Sequence, residues 1–374
     1  MKNFRVVLGL CFVCVVAVCS CLVGTNKTTV TQKKYSIDDM SLDEKIGQML
    51  FVEYRSGIYT SDLYDAIYKY KPGGFILYSE NLWNKNDYFE LIRKLNKSSD
   101  IPIFIGIDQE GGYMQRLKSL GDVRLTKLKS LEDLGNDDLL YTYLSGKVNG
   151  EELATFGINV NFSPVLDIST TSDNEFDFSR SFSISEDEVA EYGKNYILGL
   201  NNHSVVSCAK HLPGIGDGTE NTHYGSSYIS HDIIPNITGN VPLTLSKDGI
   251  DYLKDYLDYD GLIVSDGLRM KALTNYYSTE ELLVGAINAG VDVLLASEKM
   301  SITVGIIKRA VIDGKINEER INESVKKILR VKEKLNKREY IMSDFLLTYH
   351  KLLLRRSFGD DNDLVDNYIF NLDD

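Results

Sequence analysis

Residues 102–112 read PIFIGIDQEGG. An uncharged, mostly apolar run of strand length ends abruptly in Asp108, Gln109 and Glu110, and a glycine pair follows. Because the run does not alternate apolar with polar residues, it predicts a strand covered on both faces, as in a parallel sheet flanked by helices. The polar trio then lies just past the strand's C-terminal end. The same arrangement recurs: INVNFSPVL (158–166) is followed by Asp167, SVVSCA (204–209) by Lys210 and His211, and GLIVS (261–265) by Asp266. Further apolar runs at 49–53, 74–78 and 291–296 complete the strand candidates, with helical stretches between nearly all of them. Alternating units of this kind predict an α/β fold, either a barrel or a doubly wound sheet. Polar clusters at the ends of several different strands favour the barrel, whose strand ends converge on one mouth; a doubly wound sheet concentrates its ligand at one switch point.

Composition narrows the partners. A chain of 374 residues, 43% apolar, fits one large α/β domain or two ordinary ones, and no internal repeat or second domain is evident. The net charge of −13 argues against nucleic acid and against an anionic membrane surface. KPGGF (71–75) precedes a strand instead of opening a helix, so no phosphate-cradling loop exists and no nucleotide cofactor is expected. His211 and His223 lack a cysteine or carboxylate constellation of metal-ligand spacing, so no metal is expected.

Residues 1–24 combine Lys2 and Arg5 with an apolar core too short for a comfortable membrane span, the pattern of an export signal. VCSC (18–21) resembles a bacterial lipobox, and lipid attachment at Cys21 is weighed evenly against plain cleavage or a retained anchor. The expected location is therefore outside the cytoplasm, as an anchored lipoprotein or as a secreted or periplasmic protein. Four of the five cysteines fall in this segment; Cys208 stands alone in the body, without a disulfide framework. Residues 25–40 are read as a tether, 41–340 as the barrel, and 341–374 as a C-terminal helix with an acidic tail.

In order along the chain stand SLDEKIGQMLF (41–51), DQEGGYMQRL (108–117), NVNFSPVLDI (159–168), SRSFS (179–183), KHLPGIGDGTENTH (210–223), GLIVSDGLRM (261–270), AINAGVDVLLA (286–296) and INESVKKILRVKEKL (321–335). Together they resemble glycoside hydrolase family 3 in its β-N-acetylglucosaminidase branch. The resemblance implies a TIM-like (β/α)8 barrel and a retaining mechanism on a terminal β-linked N-acetylglucosamine. It places the nucleophile at Asp266 and the acid/base at His223, and it assigns sugar hydroxyls to Asp108, Arg116, Arg180, Lys210 and His211. The residues alone leave plainer roles open. Asp266 is also a candidate helix cap, Asp108 and Arg116 a structural ion pair, Arg180 a loop brace, and His223 a surface histidine.

Three departures bear on activity. Asn221 stands where the family usually has an aspartate that orients and charges the catalytic imidazole; an amide accepts a hydrogen bond but adds no negative charge, and Glu220 or Asp217 is the nearest substitute. Ile215 replaces a common histidine, a minor change. Between HDIIP (231–235) and VPLTLSKDGIDYL (241–253) only NITGN remains, too short for the expected sixth βα unit. The barrel is therefore expected to be incomplete, without its sixth strand, and a catalytically impaired sugar-binding or structural lipoprotein stands as the alternative to an exported hydrolase acting on oligosaccharide or cell-wall-derived sugar.

Overall fold

The computed structural model describes residues 35–335 except Asp122, Arg124, 169–177, Pro213, 215–237, 239–240 and Glu298. The export signal, Cys21 and most of the tether lie outside the described residues, as does the C-terminal segment 341–374. No helix among the described residues is long and apolar enough to cross a membrane.

The strands, in chain order, are β1 (Leu50–Glu53), β2 (Gly74–Leu77), β3 (Phe104–Ile107), β4 (Gln109–Gly111), β5 (Met114–Gln115), β6 (Val160–Asn161), β7 (Val206–Ser207), β8 (Val264–Gly267) and β9 (Val293–Ser297). Seven form one parallel sheet in the order β7-β6-β3-β2-β1-β9-β8, and β4 with β5 makes a separate antiparallel hairpin directly after β3. Each of the seven runs singled out in the sequence overlaps a strand of this sheet. Helices fill the crossovers, among them Ser61–Tyr70, Lys85–Ser98, Leu139–Thr155, Glu186–Asn201, Lys247–Leu257 and Thr279–Ala289. Their starts are encoded locally: Ser41 with Glu44 and Ser278 with Glu281 close reciprocal capping boxes. Beyond β9, the helix Glu318–Leu335 is locked on by the fully buried Asp292, which accepts from Arg320 (2.9 Å), from the Ser324 hydroxyl (2.7 Å) and from the Ile263 backbone N–H (3.2 Å).

Side-chain alternation defines the inner face of the sheet. Phe51 stacks on Phe104 and meets Phe162 edge-on, each with ring centroids 5.7 Å apart. Gly74 and Gly106 make room for these rings: a Cβ at Gly106 would lie 2.7 Å from the Phe162 ring, and one at Gly74 2.8 Å from both Phe51 and Phe104. Two residues on from Phe51, and four on from Gly74 and from Phe104, the same inner face presents Glu53, Tyr78 and Asp108. The polar mouth is thus the upward continuation of the aromatic core.

The sheet ends on β7 and β8. In a flat sheet these edges would stand about 29 Å apart, six strand spacings. Instead Asp266 of β8 is among the charges that raise Cys208, just past β7, and Cys208 in turn is among the causes that raise Tyr259, before β8, so the sheet curls and brings its ends toward each other. The strands on either side of the expected sixth position are the two that have no second neighbour in the ladder among the described residues. Residues 215–237, where that position falls, lie outside the described residues, so the described part is an open, curled parallel sheet.

Candidate active site

Local sequence shapes the mouth before any charge does. Asn159, just before β6, and Asn161, within it, bind β3 and the start of β4: Asn159 Oδ1 accepts from Ile105 N (2.7 Å), while Asn161 Oδ1 accepts from Gln109 N (3.0 Å) and its Nδ2 donates to Gln109 O (2.9 Å). Asn149 Nδ2 donates to the same carbonyl at 2.7 Å. The Gln109 backbone is thereby fixed, and its side chain is buried with Oε1 accepting from Leu117 N at 3.2 Å. Asp108 and Glu110, one residue to each side, share the opposite face because side chains alternate along an extended chain.

Those two acids meet three cations. Lys210 Nζ lies 2.8 Å from Asp108 Oδ1 and 2.8 Å from Glu110 Oε1. Arg180 grips Glu110 with two nitrogens, at 2.8 and 2.9 Å, and Arg116 stands 3.7 Å from the second oxygen of Asp108. Glu110 is almost completely buried, at 1% side-chain exposure, whereas Asp108 keeps 17% and Arg116 27%. Burial would raise both carboxyls, but Lys210 and the neighbouring arginines outweigh it and hold both below the usual carboxylate range. Burial would likewise lower the Lys210 ammonium, and Asp108 and Glu110 reverse that and raise it. The cluster is a fixed, fully ionised cage with its Asp108–Arg116 side open.

Lys210 is delivered by a continuation of the β6–β7 pairing: its N–H donates to Pro164 O at 3.0 Å, and Val165 bridges to it. The next residue, His211, turns its Nδ1 to Asp167 Oδ2 at 2.7 Å, and the peptide bond between Lys210 and His211 is cis. Asp167 is itself tied to the SRSFS stretch, since Ser181 Oγ donates to its carbonyl at 2.6 Å.

Asp266 reaches the mouth from the opposite edge. Between Val264 and Gly267 the β8–β9 register shifts, so one extra residue is accommodated, the kind of bulge that re-aims a side chain. Ser265 Oγ accepts the Leu295 N–H at 3.0 Å in place of a ladder carbonyl. Asp266 is left exposed, its carboxylate accepting from Gly267 N at 2.6 Å. It caps no helix: the following turn, Lys271–Thr274, is preceded by Met270 without a side-chain cap. Burial pushes the Cys208 thiol up to about 11; Lys210 opposes the rise while Asp108 and Asp266 add to it, so cage and Asp266 share one electrostatic neighbourhood.

Of the residues singled out in the sequence, the structure joins Asp108, Arg116, Arg180 and Lys210 in one cluster, with His211 beside it on Asp167. Asp266 lies on its bulge and, among the described residues, makes no ion pair with that cluster; His223 and Asn221 lie outside the described residues. Two partners were not expected as site residues: Glu110, the hub of the cage, and Asp167, which holds His211. The two-residue spacing from Asp108 was the signal available for Glu110. Among the described residues, no three His, Cys, Asp or Glu side chains cluster to hold a metal ion.

Comparison with known proteins agrees with this geometry. The model of the glycosyl hydrolase family 3 N terminal domain matches residues 41–234 and 228–331, two stretches that overlap just before the short NITGN connection. Beta-hexosaminidase A of Pseudoalteromonas piscicida is 26% identical over 331 residues, covering 73% of this chain and 55% of its own. Beta-hexosaminidase LpqI of Mycobacterium bovis is 23% identical, covering 78% and 83% respectively. A solved family 3 beta-N-acetylglucosaminidase from Paenibacillus sp. superposes with a TM-score of 0.74 at 29% identity, over 79% of this chain and 63% of that one. The chain thus spans little more than half of the first relative and most of the second. It belongs to the glycosyl hydrolase family 3 N-terminal domain family.

Proposed function

We propose that the protein is an exported retaining exo-glycosidase that removes terminal β-linked N-acetylglucosamine from oligosaccharide or cell-wall-derived fragments, using a (β/α)8-type barrel that lacks its sixth strand. The observation that carries the reading is the Asp108–Glu110–Lys210–Arg180 cage just past the C-terminal ends of β3 and β7, in the parallel sheet whose β8 carries Asp266 on its bulge. The relatives' names, beta-hexosaminidase and beta-N-acetylglucosaminidase, supply the substrate class.

In this reading Lys210, His211, Arg116 and Asp108 hold sugar hydroxyls. Asp108 and Arg116 keep exposed atoms for that purpose, whereas Arg180 and Glu110 chiefly brace the cage. The Asp266 carboxylate attacks the anomeric carbon while the bond to the leaving oxygen breaks, and His223 gives that oxygen a proton. Water then attacks the same carbon, breaking the sugar–Asp266 ester and returning the proton to His223. No metal or cofactor takes part in these steps.

The test is turnover of chromogenic N-acetylglucosaminide and glucoside across pH, with His223→Ala alongside. We expect hydrolysis of the N-acetylglucosaminide with the anomeric configuration retained. His223→Ala should slow substrates with poor leaving groups far more than activated aryl glycosides, because only the former need protonation. Sugar binding without turnover of either substrate would overturn the hydrolase and establish the alternative, an impaired sugar-binding lipoprotein, which Asn221 and the short 236–240 connection favour.

A further inference from the structure

We infer that Glu53, at the C-terminal end of β1, is a substrate-binding carboxylate of the same mouth, accepting a hydroxyl hydrogen bond from the bound sugar. The inference rests on the glycosidase reading above. Its first support is periodicity: Phe51 is on the inner face among Phe104 and Phe162, so Glu53, two residues on, points the same way. The second is reach. Strand β9 lies between β1 and β8, yet Glu53 Oε1 comes within 3.6 Å of where a Cβ on Gly267 would stand. A β1 side chain meets β8 only by passing over β9 on the concave side. The carboxylate is therefore next to Gly267, the residue that follows Asp266.

The third support comes from Tyr78. This side chain occupies the inner face of the neighbouring strand end, with the Arg55 guanidinium stacked 3.7 Å from its ring centroid and Arg116 at 5.7 Å. Burial raises the Tyr78 hydroxyl's pKa, and Glu53 is the next largest cause. Glu53 thus sits between Tyr78 and Gly267, half-buried. Sugars are recognised by charged groups fixed in partly dry sites, where a hydrogen bond to an ionised acceptor is worth more than one to a neutral group. Glu53 places such a group on the same inner face as Asp108, two strands away.

The experiment uses the full chain carrying Asp266→Asn, so that binding is read without turnover. N-acetylglucosamine and its monodeoxy analogues are titrated by calorimetry into this protein and into the same protein with Glu53→Ala or Glu53→Gln added. Adding Glu53→Ala is expected to weaken N-acetylglucosamine about 10- to 100-fold, with Glu53→Gln losing less. One monodeoxy analogue should be weakened comparably against the parent and show no further loss on Glu53→Ala, which identifies the hydroxyl. Unchanged affinity in Glu53→Ala overturns the inference. So does an equal loss for every analogue accompanied by a lower melting temperature, which is the signature of a merely structural role. If the Asp266→Asn parent binds no sugar at all, the glycosidase reading itself falls and takes the inference with it, an outcome distinct from the other two.

Discussion

Strands β1, β2 and β3 and strands β7 and β8 share one sheet but are held in place differently. The first three are four residues long, each flanked by strands on both sides and buried almost throughout. β7 has two half-buried residues, and β8 carries the register shift. Ladder hydrogen bonds and aromatic packing keep the first group in place. At the edges, side chains take over that work: Lys210 after β7 is pinned by Asp108 and Glu110, and β8 is pinned through Ser265 and Asp292. The proposed catalytic and binding groups Asp266, Lys210 and His211 all come from the weakly laddered edges. The site is therefore built where electrostatics substitutes for backbone pairing, and each side of the contrast has its own consequence under mutation.

The largest effect is expected at Asp266. Asp266→Asn removes the proposed nucleophile and should lower kcat by about 10⁴-fold or more. The carboxylate is exposed and accepts only from its own neighbour's N–H among the bonds observed, so the melting temperature should stay the same. A variant that keeps a substantial fraction of the rate would remove Asp266 from the reaction; a variant that unfolds would mean that the edge strand depends on it.

Lys210→Met is the converse. It strips the central cation from two carboxylates in a largely buried cluster, and breaking a buried pair in this way costs about 3–5 kcal/mol. In a domain of about 300 residues that lowers the melting temperature by roughly 5–8 °C. The control is Lys247→Met, whose ammonium pairs with Asp251 four residues along a helix at 67% exposure and should change stability by less than about 0.5 kcal/mol. Similar shifts in the two variants would show that the cage contributes no more than a surface pair.

The same cage sets a pH window. Asp108 and Glu110 are depressed in the folded state, so the stability they confer is complete above the ordinary carboxylate range, about pH 4, and is lost as pH falls through their folded values. Lys210 is raised, so its share is complete below about pH 10.4 and lost only as pH climbs past its folded value. The difference in melting temperature between wild type and Lys210→Met should stay level from about pH 5 to 9 and narrow below pH 4. A gap that widens on acidification would mean that the carboxylates are not what Lys210 stabilises.

How much of this was legible follows the same contrast. The buried strands announce themselves as unbroken apolar runs, and FIGI at 104–107 and GFIL at 74–77 are found where GFILY and PIFIGI predicted them. The edges are less legible: INVNFSPVL promises a long strand, but β6 spans only Val160–Asn161, and its pairing with the β7 segment resumes further on as a single bridge between Val165 and Lys210. Asp108, Arg116, Arg180 and Lys210 were recognisable from ordered motifs. Their pairing was not, because Arg180 reaches Glu110 across 70 positions of chain and no local period encodes that. The plainer roles considered for Arg180 and Arg116 are also partly present, since both make ion pairs in the structure. Glu53 was hidden for another reason: an acid ending an apolar strand looks like any solvent-facing terminus until the inner face has been identified from Phe51, Gly74 and Gly106.

The smallest effect concerns Asn221, outside the described residues, where the sequence departs from its family at the proposed proton-transfer step. If the missing carboxylate limits the rate, Asn221→Asp supplies an anion beside the His223 imidazole, favours its protonated form and improves its orientation. The rate on natural-type substrates should then rise about 10-fold, a fraction of the 10²–10⁴ that general acid catalysis supplies. Activated aryl glycosides, which leave without protonation, should gain little. If Glu220 or Asp217 already provides the charge, a second anion would crowd the first and the gain would vanish on both substrate types. The comparison of edges with core gives the control: Asn221→Asp should leave the melting temperature and the pH window of the Lys210 cage unchanged, because the ion pairs described for that cage join Asp108, Glu110, Arg116, Arg180 and Lys210. A rate gain accompanied by a shifted acid transition would instead mean that the loop charge feeds back into the cage, and that the two halves of the site titrate as one.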